Sequence, residues 1–150
     1  MSGKRHAPAA LANRDALLAA LRPFLPAAGT VLELGSGTGE HAVFMARHLP
    51  HLAFQPSDPD PAARESIAAW SAEAGLPNLR PPLNLDLRLP TWWRQRAEAV
   101  LCVNALHLLP PSALPALSAG AARVLPAGGA LCAYGPFRQA GLPAPPRLLD

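Results

Sequence analysis

Residues 30–42 read Thr-Val-Leu-Glu-Leu-Gly-Ser-Gly-Thr-Gly-Glu-His-Ala. Thr30–Leu34 is a short apolar strand, and Gly35, Gly37 and Gly39 alternate with Ser36 and Thr38 behind it. Glu40–Leu49 then continues as a helix, with Ala42, Phe44, Met45 and Leu49 available for a sheet-facing side and Pro50 as its stop. A strand that runs through glycines into a helix is the opening unit of a parallel α/β sheet, whose ligands bind at the carboxyl ends of the strands. Glycine there lets the backbone turn sharply and approach a ligand with no Cβ in the way.

The rest of the chain repeats the alternation. Pro8–Arg22 has helical spacing, with Leu11, Leu18 and Leu21 on one face. Leu52–Gln55 is a second strand, halted by Pro56-Ser-Asp-Pro-Asp-Pro61, and Ala62–Ala74 is a helix capped by Gly75. A weaker third strand is expected around Leu83–Leu85, ending at Asp86. Ala99–Val103 is the clearest buried strand, Ser112–Val124 a helix, and Ala130–Tyr134 the last strand. Strands alternating with helices imply right-handed crossovers and a parallel, Rossmann-like sheet of order 3-2-1-4-5, covered by helices on both faces. Residues 1–138 form that domain, and 139–150 are a Pro-rich irregular tail.

Composition narrows the function classes. The chain has 150 residues, half of them hydrophobic and 15% charged, which suits one domain with one core. No apolar run reaches the ~18 residues of a membrane span, and the polar start lacks the apolar centre of a signal peptide, so a cytoplasmic location is expected. The formal charge is +3, but the basic residues are spread singly and are all arginine except Lys4. With no basic stripe interleaved with aromatics, nucleic acid is not the expected partner. Cys102 and Cys132 sit in apolar runs without a CxxC partner, and the histidines lack metal-motif spacing, so no metal site is expected.

The glycine loop is GxGxG. The dinucleotide fingerprint GxGxxG would need glycine at position 40, where a carboxylate stands at a helix N-terminus and repels a pyrophosphate. A phosphate-free nucleoside such as S-adenosylmethionine avoids that conflict. Asp58, nineteen residues beyond Gly39 at the end of the second strand, can accept both ribose hydroxyls or can cap the next helix. Asp60 is its alternate, with capping the stronger reading. Asp86 either accepts the adenine amino hydrogens or is a solvated loop carboxylate.

Val31–Ala42 resembles motif I of class I methyltransferases, and Pro126-Ala-Gly-Gly129 is similar to the turn before their fifth strand. Asn13-Arg14, Gly39-x-His41-Ala42, Gln55-Pro-Ser-Asp58, Leu85-Asp86, Asn104-x-x-His107 and Tyr134-Gly-Pro-Phe137 more narrowly resemble the uncharacterised methyltransferase-like twenty-six family, over roughly Ala9–Arg138. The resemblance implies that Glu33 and Gly35, Ser36, Gly37, Thr38 and Gly39 surround the methionine end of S-adenosylmethionine, Asp58 the ribose, and Asp86-Leu87 the adenine. Arg14, either a donor to the cofactor carboxylate or part of a solvated helix face, is carried by this resemblance alone.

Methyl transfer needs the acceptor held in line with the methyl group, and a base only if the acceptor carries a proton. Asn104, His107 and Tyr134, at the ends of the fourth and fifth expected strands, are the candidates, Asn104 also for the methionine amine. His107 has a suitable pKa for a base, but a capping or loop histidine is the stronger reading. The leading function is an S-adenosylmethionine-dependent methyltransferase of unknown acceptor, a small molecule or a protein side chain. Non-catalytic cofactor binding and NAD-dependent oxidoreduction are the alternatives. The resemblance implies further helices and two more strands past Phe137, so Ala130–Tyr134 is expected to be an open edge, and the chain to be a dimer through it, poorly soluble, or a fragment of a longer product, truncated relative to the seven-stranded fold.

Overall fold

The computed structural model describes residues 3–135. The expected domain end at 138, Phe137 and the 139–150 tail lie outside them. Four parallel strands, β1 (Gly29–Glu33), β2 (Leu52–Gln55), β3 (Ala99–Val103) and β4 (Ala130–Tyr134), lie in the order β2-β1-β3-β4. Helices α1 (Pro8–Leu21), α2 (Glu40–His48), α3 (Pro61–Ala74) and α4 (Ala113–Val124) alternate with them. The expected Rossmann-like α/β class is what the chain adopts, and no helix among the described residues is long and apolar enough to cross a membrane.

The outer strand is the exception. Residues 83–85 form no strand; only two isolated parallel bridges, Phe54 with Leu79 and Ser57 with Leu83, run beside β2. Pro81 and Pro82 lie between them and have no N–H to give a ladder. The Gln55 side chain fills the gap, donating to the carbonyls of Pro56 and Pro81 at 2.9 and 2.8 Å. The sheet therefore has four strands, and the order expected for five reduces to 2-1-4-5.

Two apolar layers hold the sheet. Alternate residues of β1 divide between them: Val31 faces α1 and α2 with Leu17, Leu21, Val43 and Met45, and Leu32 faces α4. All five residues of β3 are buried, as the centre of a doubly covered parallel sheet requires. Cys102 is one of them, its thiol pushed up to about 12, chiefly by burial, and it packs as a small hydrophobe. Among the described residues β4 pairs with β3 alone, and Leu131 and Ala133 are exposed.

The α4 layer is organised around Trp92, which is fully buried on the 3-10 turn Pro90–Arg94. Its Nε1 donates to the Leu87 carbonyl at 2.9 Å, and its ring lies flat against α4 at Gly120. A Cβ at Gly120 would stand 2.0 Å from the ring. In a helix interior, alanine is ordinarily favoured over glycine by ~1 kcal/mol. Here overpacking wins, and Gly120→Ala should lower the unfolding free energy by ~1–3 kcal/mol in denaturant titration. A stabilised variant would mean that Trp92 does not pack on α4 as described.

Candidate functional site

The carboxyl ends of β1 and β2 are sewn together by two serines. Ser36 N–H donates to the Ser57 carbonyl at 2.9 Å, and Ser57 N–H donates to the Ser36 hydroxyl at 3.0 Å. The Ser57 hydroxyl donates to the Glu33 carbonyl at 2.6 Å. Asp58, the next residue, takes the Gly37 N–H on one carboxylate oxygen at 3.0 Å and the Asp60 N–H on the other at 2.9 Å. Asp60, not Asp58, caps α3, accepting from Ala62 N–H at 3.0 Å.

Gly35, Gly37 and Gly39 have φ of 71°, 59° and 94°, a region that side chains rarely enter. At Gly39 the need is also spatial, because a Cβ would come within 2.9 Å of the Ile67 backbone on α3. The loop is closed on itself. Gly39 N–H donates to the Ser36 carbonyl and Glu40 N–H to the Thr38 hydroxyl. With Ser36 and Gly37 also engaged, these four N–H groups already have protein acceptors, whereas a phosphate cradle needs them free.

The Glu40 carboxylate has a different task from the one its position suggests. It accepts the N–H of Ala7, the residue that caps α1. Residues 4–7 form a strap fastened to α3. Arg5 N–H donates to the Ser66 hydroxyl at 2.8 Å, and that hydroxyl donates to the Thr38 carbonyl of the glycine loop at 2.7 Å. Trp70 Nε1 donates to the Arg5 carbonyl at 2.7 Å, Lys4 lies over the Trp70 ring at 3.6 Å and pairs with Glu73, and His6 meets Trp70 edge-on. Sequence reading missed the strap. Its partners stand about sixty residues away, and no local pattern joins them.

Two cavities open at this end of the sheet, of about 510 and about 220 Å³. Gly35, Gly37, Asp58, Asn104 and Leu108 line both. The larger adds Ser36, Thr38, His41 and the strap; the smaller adds Leu85, Asp86, Leu87 and Arg88. The topology thus brings together the glycine loop, Asp58, Asp86-Leu87 and Asn104 from four separate stretches of chain.

The polar groups here are under-satisfied. Asn104 sits at φ 52°, the one described residue other than glycine with positive φ. Its N–H donates to the Tyr134 carbonyl at 2.8 Å, and its Oδ1 is shielded without a partner among the described residues. Glu33 is 3% exposed, and its Oε1 is likewise unpartnered. Burial raises its pKa to about 7; the Ser36 hydroxyl opposes this and the Asp58 charge adds to it. Both ring nitrogens of His41 are shielded and unpartnered, and burial holds its pKa below the usual value.

The other candidates stand apart. His107 is exposed on the 3-10 turn Leu106–Leu108 and lines neither cavity. Tyr134 packs its side chain against the α1/α2 core, and only its carbonyl reaches Asn104. Arg14 lies 4.9 Å over the Phe44 ring, beside a separate small cavity that it shares with Glu40 and Arg47. Asp86, by contrast, does line the smaller cavity, where it is tied to Arg88.

Solved structures with this fold include an O-methyltransferase family protein from Burkholderia thailandensis, with TM-score 0.71 and 22% identity over 83% of this chain. The S-adenosylmethionine-dependent methyltransferase SibL in its apo form gives TM-score 0.71 and 25% identity over 87%. A Geobacter sulfurreducens methyltransferase in complex with S-adenosyl-L-homocysteine gives TM-score 0.62 and 23% identity over 87%. The chain spans 37%, 37% and 49% of these proteins respectively, less than half of each. Residues 4–148 match the profile of a family described only as a protein of unknown function, DUF938, and the chain belongs to that family.

Proposed function

We propose that this chain binds S-adenosylmethionine and serves as the cofactor half of a methyltransferase acting on a small molecule or a protein side chain. The reading rests on one arrangement: a glycine loop whose Ser36, Gly37, Gly39 and Glu40 N–H groups are already engaged, beside two adjoining cavities with acceptor oxygens on their walls. Asp58, Asp86 and Asn104 Oδ1 supply the acceptors there, and Glu33 stands buried below them. A ligand with two ribose hydroxyls, an exocyclic amine and a cationic end offers what such walls lack. The S-adenosyl-L-homocysteine held by the Geobacter protein of the same fold supports the choice. Within the fold, the finer assignment is to the methyltransferase-like twenty-six group. His41 and Asp58, from two of its motifs, line one cavity here.

In this reading the ribose hydroxyls donate to Asp58, the adenine lies in the smaller cavity against Leu87, and the methionine end lies by Glu33, the glycine loop and Asn104. The cofactor supplies a methyl group already activated on a sulfonium. The protein's task is then orientation, which can contribute ~7–11 kcal/mol without an acid or base. A second reading, binding without transfer, is favoured by the placement of the His107 and Tyr134 side chains outside both cavities.

Calorimetry is the direct test: S-adenosylhomocysteine should titrate in the low-micromolar range and NAD should give no heat, and the opposite result ends the proposal. Asp58→Ala removes two hydrogen bonds to a charged acceptor, worth ~1.5–3 kcal/mol each, so affinity should fall by one to a few orders of magnitude. Affinity unchanged in a folded Asp58→Ala protein would return Asp58 to a purely loop-bracing role. Glu33 predicts a pH dependence of stability. The folded protein keeps this proton up to about pH 7, whereas the unfolded chain releases it near 4.5. The folded state therefore binds the extra proton, and unfolding free energy falls as pH rises through that window, by on the order of 3 kcal/mol. Glu33→Gln should flatten the slope between pH 5 and 8 in denaturant titrations; an unaltered slope would place its origin elsewhere.

A further inference from the structure

His41 is a titratable side chain that the cofactor reading leaves unused. It lines the larger cavity, yet both ring nitrogens are shielded from solvent and have no partner among the described residues. A neutral imidazole carries one N–H donor and one acceptor nitrogen, and leaving both unpaired in a shielded site costs free energy. An imidazolium is worse placed, because it brings two N–H donors and a charge. Burial accordingly holds the His41 pKa below its ordinary value.

The elements packed against α2 are α1, α3 and β2. Arg14 and Asp15 are the charges of α1, and Arg64, Glu65 and Glu73 those of α3. The loop after β2 adds Asp58 and Asp60, and the strap adds Lys4, Arg5 and His6. On α2 itself, Arg47 and His48 lie in the far turn. Several of these groups are committed elsewhere. Glu73 pairs with Lys4, Arg64 donates to the Asp58 and Pro59 carbonyls, Asp58 holds the Gly37 N–H, and Asp60 caps α3. Glu40 has a double role. Its charge favours a proton on His41, and its carboxylate accepts the Ala7 N–H at the end of the strap. A cation at position 41 therefore competes for the group that fastens the strap.

We propose that His41 and Glu40 form a pH-sensitive latch: while His41 is neutral the strap stays closed on the larger cavity, and when His41 is protonated Glu40 releases Ala7 and the strap opens. Opening lets water reach the imidazolium and takes Arg5, His6 and Ala7 away from the cavity wall. The latch governs access to the cavity, whichever ligand the cavity takes. The closed state excludes the proton, so its population falls as pH drops through the ordinary histidine range. Global stability does not isolate this effect, because Glu33 acts in the opposite direction over an overlapping range.

Hydrogen exchange on the intact chain reads the strap directly, through the Arg5 and Ala7 amides and the Trp70 Nε1–H, with intrinsic exchange rates divided out. Their protection should fall between about pH 7.5 and about pH 5.5. A solvated imidazole titrates near 6.5, so linkage limits the fall to about tenfold, and a loss of about three- to tenfold is expected. The fall should be absent in His41→Gln. It should persist in His6→Gln, which removes the imidazole that stands against Trp70. A further arm needs no variant to fold: in the wild-type protein, the NMR titration of the His41 ring should have its midpoint below the ordinary histidine value. The proposal is overturned by protection that pH does not move, or by a pH dependence that survives in His41→Gln or vanishes in His6→Gln. A His41 ring that titrates at or above about 6.5 overturns it as well.

Discussion

Where parallel strands end, their loops still carry peptide groups that need partners, and how the Ser36–Ser57 pair meets that need governs the rest of this structure. Each serine supplies a backbone N–H to the other, one to a carbonyl and one to a hydroxyl, and the spare hydroxyl returns to the Glu33 carbonyl. Because both serines are buried, breaking one link would leave an unsatisfied group, at ~1–3 kcal/mol each. The bracing sets Asp58 opposite Gly37, which in turn separates and joins the two cavities. The distance between the loops is thus fixed by hydrogen bonds before any ligand arrives.

That bracing also bears on how the glycine loop would meet a phosphate. From sequence, Glu40 looked like a charge placed to repel an anion at the start of α2. In the fold, its carboxylate is turned to Ala7 N–H and lines another cavity. The disfavouring feature in the fold is saturation: the N–H groups of Ser36, Gly37, Gly39 and Glu40 are spent within the protein. The same conclusion therefore follows from a different cause. A charge-neutral substitution at Glu40 would loosen the strap before it opened an anion site.

The legible parts of this chain were those in which neighbouring residues decide the outcome. Strands Leu52–Gln55, Ala99–Val103 and Ala130–Tyr134 fall where their apolar runs fall, and α3 begins and ends at Pro61 and Gly75 because those residues impose the local backbone. The position of Asp58 on the cavity wall was legible because its strand, its spacing and its loop agreed. The strand expected at 83–85 failed for a local reason that was visible, Pro81-Pro82, outweighed by the apolar Leu83 and Leu85. What could not be read were meetings across the fold. Trp92 on Gly120, the strap on Trp70, and Tyr134 turning inward while its carbonyl serves Asn104 depend on packing that no window of sequence contains.

The strap and the site are not independent parts. Thr38 belongs to the glycine loop, its carbonyl accepts from Ser66, and Ser66 in turn accepts the Arg5 N–H. Glu40, two residues beyond Thr38, holds Ala7 and through it the start of α1. Two routes therefore connect the loop to the strap, one through α3 and one through α2, and both end on the wall of the larger cavity. A ligand that shifted the loop by a fraction of an ångström would strain both sets of bonds, whereas one that fitted it as it stands would leave the strap closed. The arrangement favours a ligand matched to a preformed loop, and preorganisation of this kind reduces the ordering cost of binding.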